Sequence, residues 1–378
     1  MFRKFYVLCA LLILIRLCTN CGHPSIVRPF PEPEPGGSDT TDTDTTITRP
    51  DSTELDTIRA KNSDSLLAFS KRFGAVYTFD EAGLEQKNGT FYKANDFIGR
   101  PVTLDYKFVA PASDTMKHRP FVLMVHEGAF LFGSLDNEMG KARMLARKGY
   151  AAASINYRLG FNGGSEQNAC GANNREVVQA VYRAVQDTYA ALHYFAGKAD
   201  ELGIDPGQMV LAGSSAGAIT ITALVYMKEA DFEALLPGIT ATLGRLDPDP
   251  QGAPFKVRAL LSTMGYGIFK SGFITARNAK PTVFFQRTGD NVLPYQRGTF
   301  LSCPFYLPLE GAKPASEQLR KFKVPFELNY QPEKGHHLSY TEEYITSRYA
   351  QFVKRLWANN RRLIVNENFK TVEDVLIK

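Results

Sequence analysis

The chain has no long run of one charge, few histidines, few cysteines and no internal repeat. Its net charge is +5 over 378 residues, with Lys and Arg interspersed among Asp and Glu. That argues against a nucleic-acid partner and for a mixed, solvated surface. No phosphate-binding loop of the G-x-x-x-x-G-K-[ST] type occurs, and GFNGGSEQ (residues 160–167) departs from G-x-G-x-x-G. His126-Glu127 lacks the second histidine of H-E-x-x-H, because residue 130 is Phe. The Asp-Thr repeat near residues 39–45 lacks the Gly and distal Glu of a calcium loop. No metal and no cofactor are expected.

Residues 6–15, YVLCALLILI, are too few to span a bilayer. Arg3 and Lys4 precede them and Arg16 ends the run, as in a secretory signal. Cys21 follows, so residues 1–21 read as a lipoprotein-like signal with Cys21 the expected lipid-modified terminus. Asn20 stands where such signals place a small residue. Residues 22–54 are rich in Pro, Asp, Thr and Gly and poor in large apolar side chains. Such a segment cannot bury enough surface to offset ordering, so a disordered tether is expected. The expected location is the bacterial cell envelope, as an anchored lipoprotein, or else periplasmic or secreted. Of five cysteines only Cys170 and Cys303 fall in the remaining domain, residues 55–378. An exported pair can bridge, but two separate thiols are the default reading.

From residue 102 onward, apolar runs alternate with amphipathic stretches. Strands are expected at 103–111, 121–126, 151–157, 208–214, 257–263, 282–288 and 325–330. Helices are expected at 138–150, 175–199, 216–230, 316–323 and 342–358. Continuous apolar strands separated by helices predict an α/β fold, a mostly parallel sheet covered on both faces. Ligands then bind at the carboxyl ends of the strands.

At one such end stands Gly213-Ser214-Ser215-Ala216-Gly217, matching G-x-S-x-G between a strand and a helix. That context forces a strained turn and presents the Ser215 hydroxyl above the sheet. A serine nucleophile needs a base. Of six histidines, His23 is in the tether, His118 in a polar loop, His193 inside a long helix, and His126 precedes the serine. His336 and His337 remain, with His336, directly after Gly335, favoured. The base needs an acid to orient it. Asp290, in TVFFQRTGDNVLPY, directly follows a buried strand, whereas Asp247 and Asp249 lie in a Pro-rich turn.

The domain from about residue 102 to 358 resembles an α/β-hydrolase of the carboxylesterase and hormone-sensitive-lipase-like type. It is similar to bacterial acetyl or feruloyl esterases. The residues that carry this are His126-Glu127-Gly128-Ala129-Phe130, Asn156-Tyr157-Arg158-Leu159-Gly160, Gly203-Ile204-Asp205-Pro206 with the Ser215 turn, Gly289-Asp290, and Gly335-His336. The order Ser, Asp, His fits this fold. The resemblance implies an oxyanion hole from the backbone N–H groups of Gly128, Ala129 and Ala216. It implies a serine esterase acting on a small acyl ester, or on an acetylated or feruloylated polysaccharide. Glu127 and Ala129 stand where the family places glycines. Glu127 is expected to turn outward, toward a cation such as Arg158, and Arg183 with Asp187 to form a structural pair at i,i+4. A catalytically weak binding protein on the same fold is the other reading, and Glu127 is its one support. Residues 229–254 and 55–100 are candidates for a small lid, and the tail at 359–378 for an extra helix.

Overall fold

The structure, a computed structural model, describes residues 66–367. The expected signal, Cys21, the tether and residues 368–378 lie outside the described residues.

Eleven strands are found among the described residues: β1 (Leu84–Asn95), β2 (Pro101–Pro111), β3 (Arg119–Val125), β4 (Ala151–Ile155), β5 (Ile204–Ser214), β6 (Val257–Thr263), β7 (Thr282–Gly289), β8 (Arg297–Thr299), β9 (Pro308–Glu310), β10 (Phe326–Lys334) and β11 (Leu363–Glu367). Nine of them form one sheet in the order β1-β2-β4-β3-β5-β6-β7-β10-β11, and β8 pairs with β9 alone. β1–β2 and β2–β4 are antiparallel, and the remaining pairs of the large sheet are parallel. Besides a helical stretch at residues 66–72, the helices among the described residues include α1 (Asp136–Arg147), α2 (Asn174–Gly197), α3 (Ala199–Leu202), α4 (Ala216–Tyr226), α5 (Glu229–Leu235), α6 (Ile239–Leu243), α7 (Ala312–Lys321) and α8 (Glu342–Trp357).

Alternation along the strands divides the core into two layers. Phe121, Leu123 and Val125 of β3 pack in one cluster with Val178 of α2, Ile219 of α4 and Leu319 of α7. Val122 and Met124 of the same strand pack in the other, with Leu145 of α1 and Phe352 of α8. Both sheet faces are therefore covered, which explains why β3 reads as an unbroken apolar run. Each such side chain, fully buried, contributes roughly 1.5–3 kcal/mol. α4 carries ten buried residues of its eleven, so its sequence lacks a polar face.

After β3 the chain moves to β4 on one side, then returns to place β5 on the other. The carboxyl ends of β3 and β5 thus flank the point where strand order reverses, which is where open α/β sheets form their binding crevice.

Several expectations are corrected. Within residues 55–100, residues 66–72 are helical and β1 is an edge strand paired along β2 rather than a lid. The segment 229–254 folds as α5 and α6 and is fastened to α2. The Tyr182 hydroxyl donates to Gly244 O at 2.8 Å, and Gln186 Nε2 donates to Leu243 O and Arg245 O. Phe232 meets Tyr182 edge-on at 5.1 Å. Leu363-Ile364-Val365 is not helical: it forms β11, parallel to β10. Its burial alternates, as on a strand with one exposed face. The helix after Ser215 stops at Tyr226, and Glu229-Ala230 opens α5 instead.

Candidate active site

β5 ends at Ser214 and α4 begins at Ala216, leaving Ser215 alone to make the turn. Its backbone is at φ 50° and ψ −111°, a region costly for any residue with a Cβ. Small neighbours make the turn possible. A Cβ on Gly213 would lie 2.4 Å from Gly217 O, and one on Gly217 would lie 2.0 Å from Val125 O. The second contact presses the Ser215 turn against the end of β3. The Ser215 N–H donates to Thr263 O of β6 at 3.0 Å, fixing the turn from the other side.

The structure brings Ser215, His336 and Asp290 together. The Ser215 Oγ lies 2.8 Å from His336 Nε2. His336 Nδ1 lies 2.9 and 3.0 Å from the two oxygens of Asp290. The Asp290 side chain is fully buried. Its Oδ1 accepts the N–H groups of Val292 and Leu293, so the acid is aimed by its own loop. The loop is fixed in turn by Gln286, whose Nε2 donates to Leu293 O and whose Oε1 accepts the Ala312 N–H. Arg287 holds the histidine loop to β7. It donates to Lys334 O and Ser339 Oγ, both at 2.7 Å, and pairs with Glu333. His337 is exposed.

At the end of β3 the chain turns through Gly128, Ala129 and Phe130, at φ 117°, 54° and 62°. Gly128 O accepts from the N–H groups of Leu131 and Phe132. A Cβ on Gly128 would sit 1.9 Å from Phe132 O, so glycine is required there. Ala129 and Phe130 hold left-handed conformations at a cost of about 1–3 kcal/mol each. The Asn156–Gly160 stretch supplies the surroundings that enforce them. Asn156 Oδ1 accepts the Leu135 N–H, the Tyr157 hydroxyl donates to His126 O, and the Gly160 N–H donates to Phe130 O at 2.7 Å.

Glu127 does turn outward, but its partner is not Arg158. Its Oε1 accepts from Asn137 Nδ2 at 2.9 Å at the start of α1. Arg158 is taken by Asp187, with Nη2 2.7 Å from Oδ1 and both side chains buried. The Arg158 N–H also donates to Asp187 Oδ2. The i,i+4 reading therefore names the wrong partner for Asp187. Arg183 instead donates to Gly160 O at 2.9 Å. His126 is buried and stacked on Tyr157, and burial holds its pKa below the ordinary value. His193 is also engaged: its Nε2 meets Asp247 at 3.1 Å. Cys170 and Cys303 form a disulfide, with Cα atoms 5.5 Å apart. The default of two separate thiols is thus overturned. Among the described residues no group of three His, Cys, Asp or Glu could hold a metal. No described helix is long and apolar enough to cross a membrane.

One neighbour of the site escapes a reading of the sequence. Lys141 of α1 donates to Ser214 Oγ at 3.0 Å and pairs with Glu138 at 2.8 Å, both side chains buried. The spacing i,i+3 is visible in the sequence, but nothing there shows that this face is turned inward. Burial pushes the Glu138 carboxyl up to about 7 despite Lys141. Burial alone would lower Lys141, yet the Glu138 carboxylate outweighs it and holds the ammonium above its ordinary value.

The sheet order, the Ser215 turn and the loop after β3 define the class of the fold: an α/β sheet with a serine at a sharp strand-to-helix turn. The family model described as BD-FAE matches residues 108–271, a span that holds β3, its loop and the Ser215 turn. Asp290 and His336 lie beyond it. The chain is also similar to esterase 2 of Thermogutta terrifontis. The form phosphorylated by paraoxon is 17% identical with TM-score 0.48, over 72% of this chain and 93% of that one. The propionate-bound form is 16% identical with TM-score 0.48, over 74% and 95%.

Glu138 makes stability pH-dependent. Its ordinary pKa is 4.5 and its folded value about 7. Between these values the unfolded chain releases a proton that the folded chain keeps, so stability falls as pH rises through this window. The loss is about 3 kcal/mol by linkage, and it levels off above pH 7. Urea unfolding at pH 5 and pH 8 is expected to show this fall, and Glu138→Gln to remove most of it. An equal fall in the variant would contradict the assignment.

Proposed function

We propose that this esterase works through Ser215 as nucleophile, His336 as base and Asp290 as the acid that orients it. The observation that supports this most is one imidazole within hydrogen-bond distance of both Ser215 Oγ, at 2.8 Å, and Asp290, at 2.9 Å. His336 takes the Ser215 proton as Oγ attacks the acyl carbon, and Asp290 keeps Nδ1–H pointed away from the serine. The oxygen that turns negative meets the N–H groups of Gly128, Ala129 and Ala216. One such donor is typically worth about 3 kcal/mol, because the charge exists only in the transition state. His336 then returns the proton to the departing alcohol. A water, deprotonated by the same imidazole, releases the acid and restores Ser215 Oγ–H. No cofactor enters these steps.

For the substrate we propose acetyl or feruloyl esters of an extracellular polysaccharide, hydrolysed by an exported protein anchored through Cys21. The support is the resemblance set out above and the character of residues 1–54. The Cys170–Cys303 disulfide fits an oxidising compartment. The Glu127 carboxylate, the feature behind the binding-only reading, accepts a hydrogen bond from Asn137.

Turnover of 4-nitrophenyl acetate is expected to fall by about 10⁴-fold or more in Ser215→Ala and in His336→Ala. His337→Ala should stay close to wild type. Near-full activity in His336→Ala, with loss in His337→Ala, would move the base to the neighbour. For the anchor, intact mass of the protein recovered from bacterial membranes should show a chain starting at Cys21 with a lipid added. A mature chain with unmodified Cys21 would rule the anchor out.

A further inference from the structure

Beneath the Ser215 turn a charged pair is buried in a largely apolar layer. Val210 and Ala212 of β5 pack there in one cluster with Leu145 of α1 and Phe352 of α8. Ser214 lies two residues further along the same face of the strand. Where the alternation calls for another apolar side chain, Ser214 instead meets Lys141, whose Nζ donates to its Oγ at 3.0 Å. Lys141 Nζ also lies 2.8 Å from Glu138 Oε2. Ser214, Lys141 and Glu138 are 1%, 6% and 1% exposed, so the three form a closed group.

Stability is a poor explanation for this group. Taking two charges out of water is costly, and apolar side chains of similar volume in place of such a pair are often neutral or stabilising. The cost is visible here: burial raises the Glu138 carboxyl to about 7, and its Oε1 has no hydrogen-bond partner. The ammonium is kept all the same. Burial alone would lower Lys141, but the carboxylates of Glu138, of Glu127 in the loop after β3 and of Glu342 at the start of α8 hold it above its ordinary value. Among the described residues, the hydrogen bond that Lys141 makes outside α1 goes to Ser214. That contact falls one residue before the nucleophile. Gly213 has no side chain to anchor, so Ser214 is the last point at which the end of β5 can be gripped before the turn. The other flank is already pinned, because the Ser215 N–H donates to Thr263 O and the Thr263 hydroxyl bonds to the Tyr349 hydroxyl of α8.

Resting on the esterase reading above, we propose that Lys141 and Glu138 are positioning residues for the reaction. The pair grips Ser214 and thereby sets where the Ser215 Oγ stands relative to His336 Nε2. Neither side chain touches substrate. A misplacement of about 1 Å in a reacting group can cost on the order of 100-fold in rate. A charge-assisted hydrogen bond to the adjacent residue is therefore a direct means of holding the 2.8 Å contact between Ser215 Oγ and Nε2. Glu138 acts through Lys141: without its carboxylate, the buried ammonium at Ser214 loses the partner that keeps it charged.

The test measures turnover of 4-nitrophenyl acetate, with thermal melts alongside. Lys141→Met/Glu138→Gln removes both charges at nearly constant volume. Ser214→Ala removes the acceptor and keeps the pair, and a third protein combines all three substitutions. In the first two, kcat and kcat/KM should fall together by about ten-fold or more, with KM close to wild type and melting temperatures little changed. The combined protein should lose no more than the larger of the two separate losses, because both act through one contact. Wild-type kcat in either of the first two proteins, losses that multiply in the third, or losses that merely follow a drop in melting temperature would overturn the proposal. Should Lys141→Met/Glu138→Gln fail to melt cooperatively, Ser214→Ala decides by its kcat. If neither folds, the cluster holds the domain together rather than the nucleophile, and the proposal falls. Wild type that does not turn over the ester would instead contradict the esterase reading itself.

Discussion

The backbone at Ser215 stands at φ 50° and ψ −111°, and the rest of the site is arranged around that strained turn. A strand must end, a helix must begin, and a side chain with a Cβ must occupy the single residue between them. The conformation survives because nothing larger than hydrogen stands at Gly213 or Gly217, where a Cβ would meet backbone at 2.4 and 2.0 Å. The Thr263 carbonyl from β6 and the buried Lys141 from α1 hold the turn from two further directions. A strain of about 1–3 kcal/mol is thereby fixed in one geometry, with the hydroxyl directed at an imidazole.

The second strained element, the turn from Gly128 to Phe130, is kept by a separate set of contacts. Tyr157 and Gly160 bond to the carbonyls of His126 and Phe130, and Arg158 locks their strand end to α2 through Asp187. The stretch Asn156–Gly160 touches no reacting atom. It holds the Gly128–Phe130 turn, whose backbone N–H groups the proposed mechanism uses to stabilise a developing oxyanion. Glu127 fits the same plan, since Asn137 keeps its carboxylate outward, at the start of α1.

Much of this was legible because it rests on local rules. β3 and β5 to β7 show as apolar runs since both their faces are buried. Ser215 shows through its glycines, and Asp290 and Gly335-His336 through their places after strands. What stayed hidden depends on distant parts of the chain. β1 has polar residues along its length and is a strand only because β2 pairs with it. Arg183 and Asp187 have ideal helical spacing, yet Arg158, brought from β4, wins the carboxylate with both a side-chain and a backbone bond. Cys170 and Cys303 lie 133 residues apart, and no local pattern announces their pairing. The Glu138–Lys141 pair looks like an ordinary surface pair until α1 is seen to turn that face toward Ser214.

The central claim is that one serine, activated by one histidine, carries the chemistry. The most direct measurement is covalent labelling of the folded protein with a serine-reactive fluorophosphonate, followed by peptide mapping of wild type and His336→Ala. The account predicts a single modified residue, Ser215, and labelling slowed by orders of magnitude in the variant. A label on another residue, or equal labelling rates in the two proteins, would contradict it.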